Sequence, residues 1–131
     1  MNCVWPTKGF DAWADERGIF VFHAVFSNSL CWKVEEGYGQ ALLLGLTELK
    51  KSYRVATDQL LVYGVSRGGQ FSNYFVTWKP EVVTAWVSGI PGILDQPNER
   101  MAFAPGLVTA GEADSGRNQM MLRFLSEARK V

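Results

Sequence analysis

Imidazole is nearly missing from this chain: His23 is the only histidine in 131 residues. A metal site built from histidines is therefore excluded, and chemistry that needs an imidazole base must use His23 or a group from elsewhere. Two cysteines, Cys3 and Cys31, allow at most one bridge and lack metal-ligand spacing, so they read as free thiols and no metal or cofactor is expected. Neither sign of charge is in excess, because thirteen basic residues balance thirteen acidic ones. Nucleic acid and anionic membranes thus have no electrostatic footing here. No apolar run approaches the roughly 20 residues that span a bilayer. The opening Met1-Asn2-Cys3-Val4-Trp5-Pro6 lacks the basic stretch and apolar core of a signal peptide. The chain reads as soluble, and as cytoplasmic if its N-terminus is genuine. Repeats and low-complexity tracts are also missing. What remains is 47% apolar and 13% aromatic content in one domain's worth of chain, enough for a real core.

The most informative stretch is Gln59-Leu60-Leu61-Val62-Tyr63-Gly64-Val65-Ser66-Arg67-Gly68-Gly69. It is an apolar run ending in Gly-x-Ser-x-Gly and continuing into a helical pattern. Nucleophilic chemistry explains that spacing, since a serine hydroxyl must stand clear of the backbone on a tight turn at the tip of a strand. Small neighbours at Gly64 and Gly68 would avoid clashes across the turn, and the amide of Arg67 would point where an oxyanion forms. With 13 glycines in 131 residues, a chance match is expected roughly 0.08 times per chain. The flanks strengthen it. Leu60 to Tyr63 read as a strand buried on both faces. Phe71, Tyr74, Phe75 and Trp78 fall at i, i+3, i+4 and i+7, and Pro80 ends the helix. The plainer reading is a glycine-rich turn in which Ser66 is merely small and polar.

Around this element the pattern alternates. Phe10, Trp13, Ala14 and Arg17 suggest a short helix closed by Gly18, and Ile19 to Phe26 is an apolar run of strand type. Ser27 to Gly39 reads as a loop. Ala41, Leu42, Leu46, Leu49 and Tyr53 mark a helix, with Glu35 and Glu36 before it and Lys50 and Lys51 near its end, offsetting its dipole. Val82 to Ser88 is a third strand, and the Pro- and Gly-rich stretch 89–106 a long connection. Leu107 to Ala110 is a fourth short strand, before a helix carrying Met121, Phe124, Leu125 and Ala128. Strands alternating with helices predict an α/β fold with a parallel sheet of about four strands and flanking helices. Ligands in such sheets bind at the carboxyl ends of the strands, where Ser66 falls.

Three segments carry a likeness: Ala14-Asp15-Glu16-Arg17-Gly18, Gly64-Val65-Ser66-Arg67-Gly68-Gly69, and Leu107-Val108-Thr109-Ala110-Gly111-Glu112-Ala113-Asp114. With them the chain resembles the α/β-hydrolases, in particular dienelactone hydrolases and esterase or depolymerase-like members. The resemblance implies a serine nucleophile at Ser66, a triad acid at Asp114 within Gly-x-x-Asp, and a small-molecule ester or acyl substrate. It covers nearly all of this chain but only the middle of the family's domain. The strand and His-Gly loop that supply a second oxyanion amide, and the later strand with the catalytic histidine, have no counterpart here. Residues 1–131 therefore read as a partial α/β-hydrolase domain, nearly inactive alone.

Chain order in such enzymes is nucleophile, acid, histidine, and no histidine follows Ser66 or Asp114. A serine hydroxyl without a base is a poor nucleophile. His23 is the substitute base to weigh, against an ordinary strand histidine. Asp114 has a second reading in which Asp114 or Ser115 merely caps the last helix, and Asp95 is the reserve acid. Trp32, Tyr38, Trp86 and Ile90 are candidate walls of an acyl pocket, against roles as core or loop anchors. A missing central strand would leave open sheet edges, so Ile19 to Phe26 is expected either to pair with the nucleophile strand or to dock as a loose edge. Those open edges also offer a route to self-association. Two further functions stay open: a non-catalytic binding protein on a degenerate hydrolase scaffold, and an acyltransferase.

Overall fold

A computed structural model of the chain describes residues 9–24 and 34–131. Its elements run in the order α1 (Phe10–Glu16), α2 (Tyr38–Ser52), β1 (Leu60–Val65), α3 (Arg67–Trp78), β2 (Val83–Gly89), β3 (Gly106–Thr109) and α4 (Ser115–Ala128). Short 3-10 turns at Pro80–Val82 and Glu99–Phe103 precede β2 and β3. The three strands form one parallel sheet in the order β1-β2-β3. Strands separated by helices can only pair in parallel if each connection crosses back over the sheet, so this is an α/β architecture. No described helix is long and apolar enough to cross a membrane.

The core lies on one face of the sheet. Val62 and Trp86 point from β1 and β2 into a cluster with Phe71, Phe75 and Val76 of α3 and Phe124 of α4. The indole of Trp86 meets the Phe124 ring edge-on, 6.0 Å between centroids, and its Nε1 donates to the Ala104 carbonyl at 3.1 Å. Leu42 and Leu43 bring α2 against the same cluster, and Gly39 lets α2 approach Trp78, where any Cβ would lie 2.8 Å from the ring. Trp86 is thus a core residue and not a pocket wall. Tyr38 likewise packs on the cluster from the start of α2.

Three expectations need correction. The sheet has three described strands, not four, because residues 19–24 form no strand; residues 25 and 26 lie outside the described residues. An apolar run becomes a strand only where a neighbour supplies a hydrogen-bond ladder, and this one is held along α2 instead. The Phe20 ring meets that of Tyr53 at a tilt, 5.6 Å between centroids, and Phe22 lies over Gly45. Among the described residues it therefore does not pair with β1. Second, β1 is not buried on both faces: Leu61, Tyr63 and Val65 are 66%, 43% and 43% exposed, and Leu107 of β3 on the same side is 56% exposed. Third, β2 begins and ends one residue later than expected, since the turn at Pro80–Val82 takes Val82. The readings of Cys3, Cys31, Trp32 and residues 27–33 fall outside the described residues.

Candidate active site

The three strands end level. Val65 pairs with Gly89 and Gly89 with Thr109, so their carboxyl ends form a straight rim. Each ladder extends one bond further: the Ser66 amide donates to the Gly89 carbonyl at 2.8 Å, and the Ile90 amide to the Thr109 carbonyl at 2.8 Å. Ser66 stands on that rim between β1 and α3, with φ 56° and ψ −116°. A non-glycine residue with positive φ is strained by roughly 1–3 kcal/mol and persists only where its surroundings dictate it. Those surroundings are visible here. The Ser66 amide is tied to β2, its carbonyl accepts from Gln70 at 3.1 Å to open α3, and the chain must reverse between the two. The side chain is exposed, and no described residue hydrogen-bonds its hydroxyl.

The turn is tight on one side only. A Cβ on Gly64 would overlap the Gly68 carbonyl and lie 2.7 Å from the Gly68 Cα, so β1 and the first turn of α3 touch backbone to backbone. A Cβ on Gly68 meets nothing within 4 Å, which corrects the expectation that Gly68 must be bare. The second required glycine is Gly69, whose Cβ would lie 2.9 Å from the Gly89 carbonyl and 3.1 Å from Ser88 Oγ. Fully buried Ser88 donates its hydroxyl to the Gly69 carbonyl at 2.8 Å and holds α3 on β2. As the first residue of α3, Arg67 carries an amide that the helix itself cannot satisfy, at the helix's positive end.

Asp114 follows β3 by five residues and is the N-cap of α4. Its Oδ1 accepts from the Arg117 amide at 3.1 Å, and its Oδ2 pairs with the Arg117 guanidinium. The Arg117 amide first, and the guanidinium beside it, hold this carboxyl below its ordinary pKa. The capping geometry is therefore present, and no hydrogen bond joins Asp114 to Ser66. The reserve acid Asp95 is tied elsewhere: its amide donates to Asn73 Oδ1 at 2.6 Å and its Oδ1 accepts from Gln96 at 2.9 Å. His23 is exposed on the 19–24 segment beside α2 and makes no hydrogen bond to Ser66. The geometry thus unites Ser66, the Arg67 amide and the rim, and joins none of Asp114, Asp95 and His23 to Ser66 by a hydrogen bond.

A cavity of about 360 Å³ is lined by Val34, Glu35, Glu36, Tyr74, Thr77, Trp78 and Asp95. Its α3 residues lie 8 to 12 positions beyond Ser66, roughly 12–18 Å along the helix, so it is not an acyl pocket for this serine. Sequence reasoning missed the strain at Ile90, which has φ 41°. The only hint was Gly89-Ile90-Pro91, because a proline restricts the residue before it. No protein-family model, curated protein or solved structure matches the chain.

Proposed function

We propose that this chain carries the nucleophile portion of a serine hydrolase site of α/β-hydrolase type, acting on esters or related acyl compounds. The observation that supports it most is the strained, exposed Ser66, set at the carboxyl rim of a parallel sheet, with no hydrogen bond to its hydroxyl from any described residue. Ligands in open α/β sheets bind at that rim, and a strand-turn-helix is the context that the Gly-x-Ser-x-Gly pattern requires. In this reading Ser66 Oγ attacks the acyl carbon, its proton passes to a base, and the carbonyl oxygen gains charge beside the Arg67 amide. The ester carbon–oxygen bond then breaks to release the alcohol, and water regenerates the serine. Asp114 is the triad acid, its free lone pairs available to an incoming imidazole although α4 uses others. The base is supplied from outside the described residues. Without it the rate falls on the order of a millionfold.

Chemical rescue tests this reading. A fluorophosphonate should label the chain slowly, free imidazole should accelerate labelling by supplying the base, and Ser66→Ala should abolish it. Brisk labelling without imidazole would show that the chain holds its own base. Labelling that imidazole does not change and Ser66→Ala does not remove would sink the assignment. A second reading, a binding protein, draws on the open apolar face of Leu61, Val65 and Leu107. Concentration-dependent assembly of fixed stoichiometry, with no labelling under imidazole, would favour it.

A further inference from the structure

The segment after β2 is pinned at Gly89, Pro91, Gly92 and Asp95, and strained at Ile90. Gly89 gives its carbonyl to the Ser66 amide, Pro91 is fully buried, Gly92 sits against Gln70 with a would-be Cβ 2.9 Å from Nε2, and the Asp95 amide bonds Asn73 at 2.6 Å. Gln70 and Asn73 are buried residues of α3, so this segment runs from the rim along the helix that Ser66 opens. Between the pins, Ile90 and Ile93 face outward, 41% and 53% exposed. Ile90 also has φ 41°, a conformation glycine adopts freely and a β-branched residue rarely does.

An isoleucine at this position is unfavourable twice over, in backbone strain and in exposed apolar surface. Its backbone role, the amide bond to Thr109, would be met equally by glycine. Only the side chain distinguishes the two, and it stands one residue from the carbonyl that holds Ser66. We infer that Ile90 is a specificity-determining residue that forms an apolar wall beside Ser66 and favours acyl groups with an extended hydrocarbon chain. This rests on the reading of Ser66 as nucleophile. A wall covers one side of an acyl chain, so each added methylene gains part of the full burial effect. Over three methylenes that amounts to about fivefold.

The test compares methyl and butyl phosphonate probes on Ser66 in imidazole buffer, and reads the ratio of their labelling rates. The parent chain should favour the butyl probe about fivefold. Ile90→Gly and Ile90→Ala should bring the ratio close to one; the alanine retains the left-handed strain, which separates the wall from the backbone. Ile90→Gly should also raise the unfolding temperature. Equal rates in the parent chain, or a preference that survives in either variant, would overturn the inference while leaving Ser66 as nucleophile. If neither probe labels Ser66 in the folded parent chain under imidazole, the nucleophile assignment falls and the inference with it.

Discussion

Gly64 and Gly68 occupy equivalent places in Gly-x-Ser-x-Gly, yet an alanine at each should have opposite effects. At Gly64 the added carbon would overlap Gly68 backbone atoms, which cannot rotate aside as a side chain could. Overpacking of this kind costs about 1–3 kcal/mol, and the rigid neighbour argues for the upper end. Neither glycine has positive φ, so alanine gains about 0.4–1 kcal/mol from a less free unfolded chain. The balance for Gly64→Ala is a loss of about 2 kcal/mol. At roughly 2.1 cal/mol/K per residue, 131 residues give an unfolding entropy near 0.28 kcal/mol/K, so the midpoint should fall about 7 °C. Gly68 meets nothing and lies in the first turn of α3, so Gly68→Ala should gain about 0.5–1 kcal/mol and raise the midpoint about 2–4 °C. Thermal unfolding followed by circular dichroism reads both. A Gly64→Ala midpoint within 2 °C of the parent, or a Gly68→Ala loss as large as that of Gly64→Ala, would refute the one-sided turn.

Two further outcomes follow from the rim and the last helix. Ser66→Gly should stabilise the fold by about 1 kcal/mol, the strain released less the entropy cost of glycine, whereas Ser66→Ala keeps φ at 56° and should show no gain; urea unfolding separates them. The Asp114 carboxyl is held below its ordinary pKa in the fold. It therefore adds stability above the unfolded value, near pH 3.9, and that contribution disappears as pH falls through the depressed folded value. Urea midpoints measured from pH 5 to pH 2 should fall less steeply for Asp114→Asn than for the parent. A fall remains in the variant, because Glu81 is also lowered, chiefly by a backbone hydrogen bond.

Strand β1, the turn at Ser66 and α3 were legible because three signals coincide there: an apolar run, a glycine-spaced serine and a period of 3.6 ending at Pro80. Phe71 and Phe75 are buried as that period requires. The last helix was legible from Phe124, and capping chemistry offered Asp114 or Ser115 as its cap, of which the structure takes Asp114. Steric detail within the motif was not legible. Sequence shows that Gly64, Gly68 and Gly69 are small, but only the path of the backbone shows that Gly64 and Gly69 are crowded and Gly68 is not. Strain at Ile90 was hidden for the same reason, since a residue type carries no record of a φ imposed by its neighbours.

The sheet's open face shows why burial was misjudged. Leu61, Tyr63 and Val65 are as apolar as a covered strand requires, and composition is the same whether or not another layer lies on top. Parallel sheets are covered on both faces almost without exception, because their crossovers carry helices. Here α3 and α4 both reach the face of Val62 and Trp86, while Leu61 and Leu107 remain more than half exposed on the other. An apolar pattern on both faces of β1, with described helices on one, is the signature of a sheet built to be covered twice. The same reasoning accounts for Ile19 to Phe22, four apolar residues 41–47% exposed and laid along α2. Their strand-type pattern calls for a ladder at a sheet edge, and β1 has no partner on its outer side among the described residues. Whatever supplies that edge and that cover would order the neighbourhood of Ser66. On the reading of Ser66 as a nucleophile, the base that it requires is therefore to be sought beside that same edge and face.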